Sequence, residues 1–302
     1  MLRYERPGVT GVTRCNVQCQ IGDGKPYLAS IIGGGITVRI VAINGSHRGS
    51  KGLNQFLLDK VAAGARQNGA EFETVVLAES KINQCLSCQI CRSQKSFLRC
   101  VYEDKDDVQK IFNKMRQADL LIFATPVYIF SMSGLMKRLL DRIYSTGDVN
   151  DLRISRSGLF FHHIDSELCS KPFVLLVCCD NMENETPRNV LTYFKTYARF
   201  MDARIIGTLV RKSGQLMRAM ELLSDGSPNP RIQKIYAAFE QAGRELAVVG
   251  RISTATQRLA NQSVLEIPFL WLLLRIKPLK KHMLTHARAQ HKTALESNEK
   301  EV

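Results

Sequence analysis

Apolar runs and amphipathic stretches alternate along the chain from residue 36 onward. Residues 36–43 (ITVRIVAI) read as a buried strand. Residues 53–67 carry apolar side chains at helical spacing, through Leu53, Phe56, Leu57, Val61 and Ala65. Residues 71–77 alternate like a strand, and residues 106–117 form an amphipathic helix with Val108, Ile111 and Met115 on one face. Residues 120–124 are continuously apolar, as expected of a strand covered on both sides. The pattern then predicts a helix over 133–144, a strand over 173–178, a helix over 187–201, a fifth strand over 203–210 and a long helix over 228–249. Strands alternating with helices at these lengths predict an α/β domain over residues 36–250, a parallel sheet with helices on both faces.

The two ends fall outside this alternation. Residues 1–35 carry Gly and Pro but no periodicity, and predict an N-terminal extension in which Cys15 and Cys19 read as ordinary free thiols. Residues 251–302 exceed what the sheet needs and predict a C-terminal helical appendage. Within it, residues 266–283 (EIPFLWLLLRIKPLKKHM) join an apolar stretch to a basic one. Packing on the domain or on a partner subunit is the plain reading, and peripheral contact with a membrane is the alternative. His282, His286 and His291 have no acidic or cysteine company, which argues against a metal site there.

A net charge of +14 over 302 residues favours anionic ligands such as phosphorylated cofactors. Nucleic acid is not expected, because aromatic residues are not interleaved with the basic ones. The first residues lack an apolar leader pattern, and the longest apolar run, residues 267–274, is too short for a transmembrane segment. With nine cysteines, this places the chain in a reducing, cytoplasmic setting, where thiols serve metal or redox chemistry rather than disulfides.

The candidate chemistry lies where strands end. Asn44-Gly45-Ser46-His47-Arg48-Gly49-Ser50-Lys51-Gly52 joins the first strand to the first helix. Backbone N–H groups in such a turn, a helix dipole, and Ser and Arg side chains suit a phosphate. The loop is neither a Walker A sequence nor a G-x-G-x-x-G fingerprint. A plain turn with solvated polar residues is the alternative. A phosphate loop after the first of five strands suggests the doubly wound, flavodoxin-like order 2-1-3-4-5. After the third strand comes Thr125-Pro126-Val127-Tyr128-Ile129-Phe130-Ser131-Met132-Ser133, where Tyr128 and Phe130 offer stacking surface to a flat conjugated ring. The competing reading is a buried aromatic pair. Cys179-Asp180-Asn181 forms a third polar loop after the strand at 173–178.

These residues resemble a known family. Asn44-Gly45-Ser46-x-Arg48 with Asn54, then Pro126-Val127-Tyr128 leading into Ser133-Gly134-Leu135-Met136-Lys137-x-Leu139-Leu140-Asp141-Arg142, are similar to the NADPH-dependent FMN reductases of flavodoxin-like fold. The cysteines between these loops point to the iron–sulfur flavoproteins within that family, and the resemblance runs from about Val38 to Val210. It implies that Ser46, Arg48, Ser50 and Asn54 hold the FMN phosphate, with Gln55 assisting. It also implies that Pro126, Val127, Tyr128 and Ser131 line the isoalloxazine, and that Cys179 and Asp180 close over its other side.

Cys85-x2-Cys88-x2-Cys91-x8-Cys100 decides the subgroup. A C-x2-C-x2-C run is the ferredoxin-like way to hold a [4Fe–4S] cluster, whereas zinc prefers two well-separated C-x2-C pairs. Free or redox-active thiols remain the third reading. Cys169 and Cys178 are expected in the core. The expected activity is that of an NAD(P)H-dependent FMN oxidoreductase passing electrons to a small-molecule or protein acceptor, as a homodimer or homotetramer. The alternatives are an FMN-binding electron-transfer or redox-sensing protein without its own NAD(P)H turnover, a metal-binding module that has lost FMN, and a basic surface-associated protein.

Overall fold

The computed structural model describes residues 37–222, 229–265, 275–282 and 285. The N-terminal extension with Cys15 and Cys19, most of the apolar-basic segment 266–283, and His286 and His291 lie outside the described residues.

The chain starts with β1 (Arg39–Asn44), α1 (Leu53–Gln67) and β2 (Glu71–Val76), followed by a long loop and α2 (Val108–Gln117). Next come β3 (Leu120–Tyr128), β4 (Ser131–Met132), α3 (Gly134–Arg142), the hairpin β5 (Leu152–Ile154) and β6 (Phe160–His162), and α4 (Ser166–Cys169). The second half holds β7 (Phe173–Cys178), α5 (Arg188–Phe200), β8 (Ile205–Arg211), α6 (Gly214–Leu222), α7 (Pro230–Val249) and α8 (Thr254–Ala260). The long strands pair in parallel in the order β2-β1-β3-β7-β8, which is the flavodoxin-like order the alternation predicts.

Side-chain alternation splits the core into two layers. Ile40, Ala42, Leu120, Ile122, Val174, Leu176 and Leu209 face the layer that includes Leu57, Val61, Ile235, Phe239 and Leu246 of α1 and α7. Val41, Ile43, Leu121, Phe123, Phe173, Leu175 and Val177 face α2, α3 and α5 on the other side. Every residue of β7 is buried, which is why that strand reads as an unbroken apolar run.

The third strand is longer than expected. It continues through Pro126 to Tyr128 and turns back as β4, instead of ending at Ala124. Pro126 is tolerated because β1 stops at Asn44, opposite Ala124, so β3 has an open edge beyond that point. The β5–β6 hairpin, α4, α6 and α8 carry too few residues for periodicity to reveal them.

Residues 252–261 cover the outer edge of β8. The Ile252 N–H donates to Ile206 O at 2.9 Å. The Gln257 side chain accepts from Thr208 N at 2.9 Å, and Asn261 accepts from Val210 N at 2.6 Å while donating to Thr208 O at 3.0 Å. Side chains of α8 thus stand in for a sixth strand and satisfy an edge that would otherwise be open to pairing.

Helices α1 and α7 cross at a pair of glycines. A Cβ on Gly64 would lie 1.8 Å from Glu240 O, and one on Gly243 would lie 1.9 Å from Val61 O. Backbone contacts this close leave no room for a methyl group. Gly64→Ala is therefore expected to destabilise the fold by about 1–3 kcal/mol or more, read as a lower urea midpoint. Gly134→Ala, whose Cβ would meet nothing within 4 Å, is the control and leaves the midpoint within error or raises it.

Candidate functional site

The C-terminal ends of β1, β3 and β7 lie side by side, so the three loops singled out in the sequence share one edge of the sheet. Asn44, fully buried, organises the first loop. Its Oδ1 accepts from Ser46 N at 3.0 Å, and its Nδ2 donates to Gln55 Oε1 at 3.0 Å and to Gly49 O at 3.4 Å. Ser46 Oγ accepts from Arg48 N at 3.2 Å. A Cβ on Gly52 would stand 2.9 Å from Ser46 Oγ and 3.1 Å from Arg48 Cβ, so a larger residue there would displace the Ser46 hydroxyl. Gln55 is held by Asn44 and donates to Asp59 at 2.8 Å, which makes it part of the loop's scaffold.

What the loop leaves unspent is informative. Helix α1 begins without a side-chain cap, and its hydrogen-bond ladder starts with Phe56 N to Gly52 O at 3.1 Å. Asn54 is buried at 2% exposure, and its Nδ2 has no partner. Arg48 and Ser50 are exposed, and Arg48 pairs with no carboxylate among the described residues. Uncapped N–H groups, an orphaned amide and an exposed guanidinium near one helix start are donors suited to an anion.

The second loop is a hairpin tip. Val127 pairs with Met132 and Tyr128 with Ser131, which leaves Ile129 and Phe130 as the turn. Both have positive φ, +45° and +63°. A two-residue turn of this kind ordinarily uses Asn-Gly, so a β-branched and an aromatic residue here carry backbone strain. They are also 90% and 58% exposed. The tip is anchored below by Thr125, whose Oγ1 accepts from Ser133 N at 3.0 Å, and by Ser133, whose Oγ caps α3 through Met136 N at 3.1 Å. Tyr128 links the first two loops, its ring 5.5 Å from that of His47. Pro126 and Val127 are half-buried and Ser131 is exposed at the same edge.

In the third loop, Asp180 Oδ1 accepts from Gln215 N at 2.9 Å and so caps α6. Cys179 is buried, its Sγ 3.6 Å from Asn181 O, and burial pushes its thiol up to about 11. Cys169 and Cys178 are buried in the core as expected. Burial raises both thiols, Cys169 to about 12.

The four clustered cysteines sit on the loop between β2 and α2. Its neck is zipped by Asp107 N to Lys81 O and Lys81 N to Asp107 Oδ2, both 2.9 Å, and by Asn83 N to Asp106 Oδ2 at 3.0 Å. Cys85, Cys88, Cys91 and Cys100 line a single cavity together with Tyr102, Arg142 and Tyr144. The Cys91 thiol is raised first by burial and then by the neighbouring Cys100, Cys88 and Cys85. No three His, Cys, Asp or Glu side chains among the described residues converge closely enough to hold a single metal ion. Ser87 and Gln89, on either side of Cys88, have positive φ of 52° and 58°. Leu86, Ile90, Phe97 and Leu98 of this loop stay exposed.

Arg142 escaped the sequence reading as a site residue. A signal was present: it lies three positions after buried Leu139, on the covered face of an amphipathic helix.

Residues 38–160 match the NADPH-dependent FMN reductase family. The match takes in the first two loops and the clustered cysteines, which carry the resemblance, and ends before the third loop. Over 105 residues the chain is 33% identical to an iron–sulfur flavoprotein of Archaeoglobus fulgidus, covering 35% of this chain and 48% of that protein. It is 31% identical over 105 residues to an iron–sulfur flavoprotein of Methanocaldococcus jannaschii, covering 35% of this chain and 51% of that one. The chain thus spans about half the length of these curated relatives. Among solved structures, an FMN-dependent NADH-azoreductase from Bacillus anthracis in complex with FMN superposes with a TM-score of 0.50, covering 70% of this chain and 100% of that one. At 12% identity this likeness speaks for the fold alone.

In reduced, metal-free protein at neutral pH, brief alkylation is expected to label exposed Cys88 well before Cys169, Cys178 and Cys179. Those three are buried and protonated, and the thiolate is the reactive form. Peptide mass spectrometry over a time course reads the order. Early labelling of Cys179 would refute its burial.

Proposed function

We propose that this chain is a flavin oxidoreductase that holds FMN at the C-terminal edge of its sheet and a [4Fe–4S] cluster in its cysteine loop. Electrons would pass from NAD(P)H to an acceptor. The observation that carries the FMN reading is the uncapped start of α1, with Asn54 Nδ2 buried and unpartnered and Arg48, on the loop leading into the helix, exposed and without a carboxylate partner among the described residues. When bound, FMN supplies hydride acceptance and one-electron release, chemistry that needs no general base from the protein. Ser46, Arg48, Ser50 and Asn54 would hold the phosphate. Pro126, Val127, Tyr128 and Ser131 would border the ring, with Cys179 and Asp180 on the neighbouring loop. Gln55 and Asp180 act by fixing the loops, since their side chains are already engaged there.

The spacing Cys85-x2-Cys88-x2-Cys91 and the one cavity that all four cysteines line favour a cluster over zinc, which prefers two well-separated C-x2-C pairs. The curated relatives that the chain resembles are iron–sulfur flavoproteins by name, in line with this reading. No helix among the described residues is long and apolar enough to cross a membrane. Free thiols and a cluster suit a reducing cytoplasm.

Arg48→Ala is expected to weaken FMN binding by about 1.5–3 kcal/mol, a tenfold to hundredfold rise in Kd, measured by quenching of flavin fluorescence. Unchanged affinity would remove the loop from the FMN site. Cys88→Ser is expected to abolish iron and acid-labile sulfide while FMN stays bound, measured by colorimetric assay of anaerobically purified protein. Bleaching of the bound flavin by NADH or NADPH separates an oxidoreductase from an electron carrier that lacks nicotinamide turnover.

A further inference from the structure

The cysteine cavity contains a buried charge, Arg142, to which the family likeness assigns no role. Arg142 is 1% exposed and is among the largest fully buried side chains. Its Nη1 donates to Asp106 Oδ2 at 2.5 Å and to Asn83 O at 3.0 Å. The Asp106 side chain is itself fully buried, so the pair lies out of water. Nε and Nη2 are buried and have no hydrogen-bond partner. The Tyr102 ring, 5.5 Å from Cζ, offers only its face.

A guanidinium always carries its charge and has five N–H donors. Burying it with two nitrogens unpaired is costly unless an anion takes up the donors. Arg211, another fully buried arginine, shows the contrasting solution. Its Nε, Nη1 and Nη2 each reach a carbonyl, on Lys212, Ala260 and Gln262, at 2.9, 3.1 and 2.7 Å. Every nitrogen of Arg211 therefore has a partner. Arg142 lines the cavity with Cys85, Cys88, Cys91 and Cys100 and keeps donors in reserve.

We infer that Arg142 is the built-in counter-charge of the cysteine cavity, donating from Nε and Nη2 to a thiolate-bound iron–sulfur cluster and raising its reduction potential, with Asp106 holding the guanidinium in place. The inference rests on the cluster reading given under the proposed function. One-electron reduction by reduced flavin adds one negative charge to the cluster and removes one electron from the flavin. No bond to Arg142 forms or breaks, and its protons stay where they are. A fixed cation in a dry cavity favours the more negative, reduced state. Asp106 cancels part of that field, so the two buried side chains set the potential in opposite directions. Arg142 is thus a positioning and potential-setting residue, not a ligand.

The test compares anaerobically purified wild type, Asp106→Asn, Arg142→Lys and the double variant Arg142→Met/Asp106→Asn. The double variant avoids leaving one buried charge alone. Iron and sulfide are assayed, and dithionite titrations are followed by electron paramagnetic resonance. With iron present, the midpoint potential is expected to rise in Asp106→Asn, fall in the double variant, and in Arg142→Lys lie nearer to wild type than the double variant does. Iron-loaded variants with the wild-type midpoint would overturn the role of Arg142 and leave the cluster reading standing. If the double variant does not fold, Asp106→Asn decides alone, because the absence of an upward shift there refutes the inference. Wild type without iron would overturn the cluster reading itself and this inference with it.

Discussion

The parallel alignment of β1, β3 and β7 is the constraint on which the rest depends. Asn44, the end of β1, stands opposite Ala124, and Cys178, the end of β7, stands opposite Pro126, so both neighbours stop within four residues of the end of β3 at Tyr128. Gly45 N donates to Ala124 O at 2.8 Å and ties the start of the first loop to the second strand of the site. In a parallel sheet all strands release their loops at the same edge, and helix N-termini follow immediately. Polar loops that are far apart in the chain are thereby brought to one place without any sequence of their own to specify it.

Within that edge the protein separates scaffold from reserve. Asn44, Gln55, Thr125, Ser133 and Asp180 spend their side chains on neighbouring backbone or side-chain groups and fix loop shape. Asn54 Nδ2 and the Arg48 guanidinium are left over. The same division holds for the two buried arginines, one with a carbonyl on each of its three nitrogens and one bonded only on its Nη1 side. Buried polar groups are costly to leave unpaired, so the unpaired ones mark where something outside the chain is expected. The Ile129–Phe130 turn is a second deviation of this kind. Positive φ at two bulky residues survives because β3 and β4 pair beneath the turn, and the strain exposes an apolar tip beside Tyr128.

The cysteines divide into two populations by the same physics. Cys169, Cys178 and Cys179 are enclosed by strand ends and helices, where desolvation keeps the thiols neutral and makes them small apolar fillers. The four in the loop after β2 are half-buried or exposed and crowd one another around a cavity. That loop buries little apolar surface of its own, and Leu86, Ile90, Phe97 and Leu98 remain in contact with solvent. Hydrogen bonds at its neck hold it closed.

Local pattern determined much of this protein. The period of apolar residues marked the long strands and helices, and β7 and α1 appear where the sequence places them, because burial on both faces or on one stripe leaves a legible imprint. Short spacings marked the Ser46–Arg48 loop and the C-x2-C-x2-C run, since chemistry confined to one loop is written in consecutive residues. The extension of β3 past Pro126 was not legible, because whether a proline tolerates a strand depends on the neighbour having ended. Neither was the masking of β8 by Gln257 and Asn261, some fifty positions away in the chain. Arg142 is the sharpest case. Its place on the covered face of α3, three positions after Leu139, was legible, but its pairing with Asp106 and its place in the cysteine cavity come from contacts between residues 36 or more positions apart. Only the folded chain could decide these, because the cost of an unpaired charge depends on what surrounds it in space and not on its neighbours in sequence.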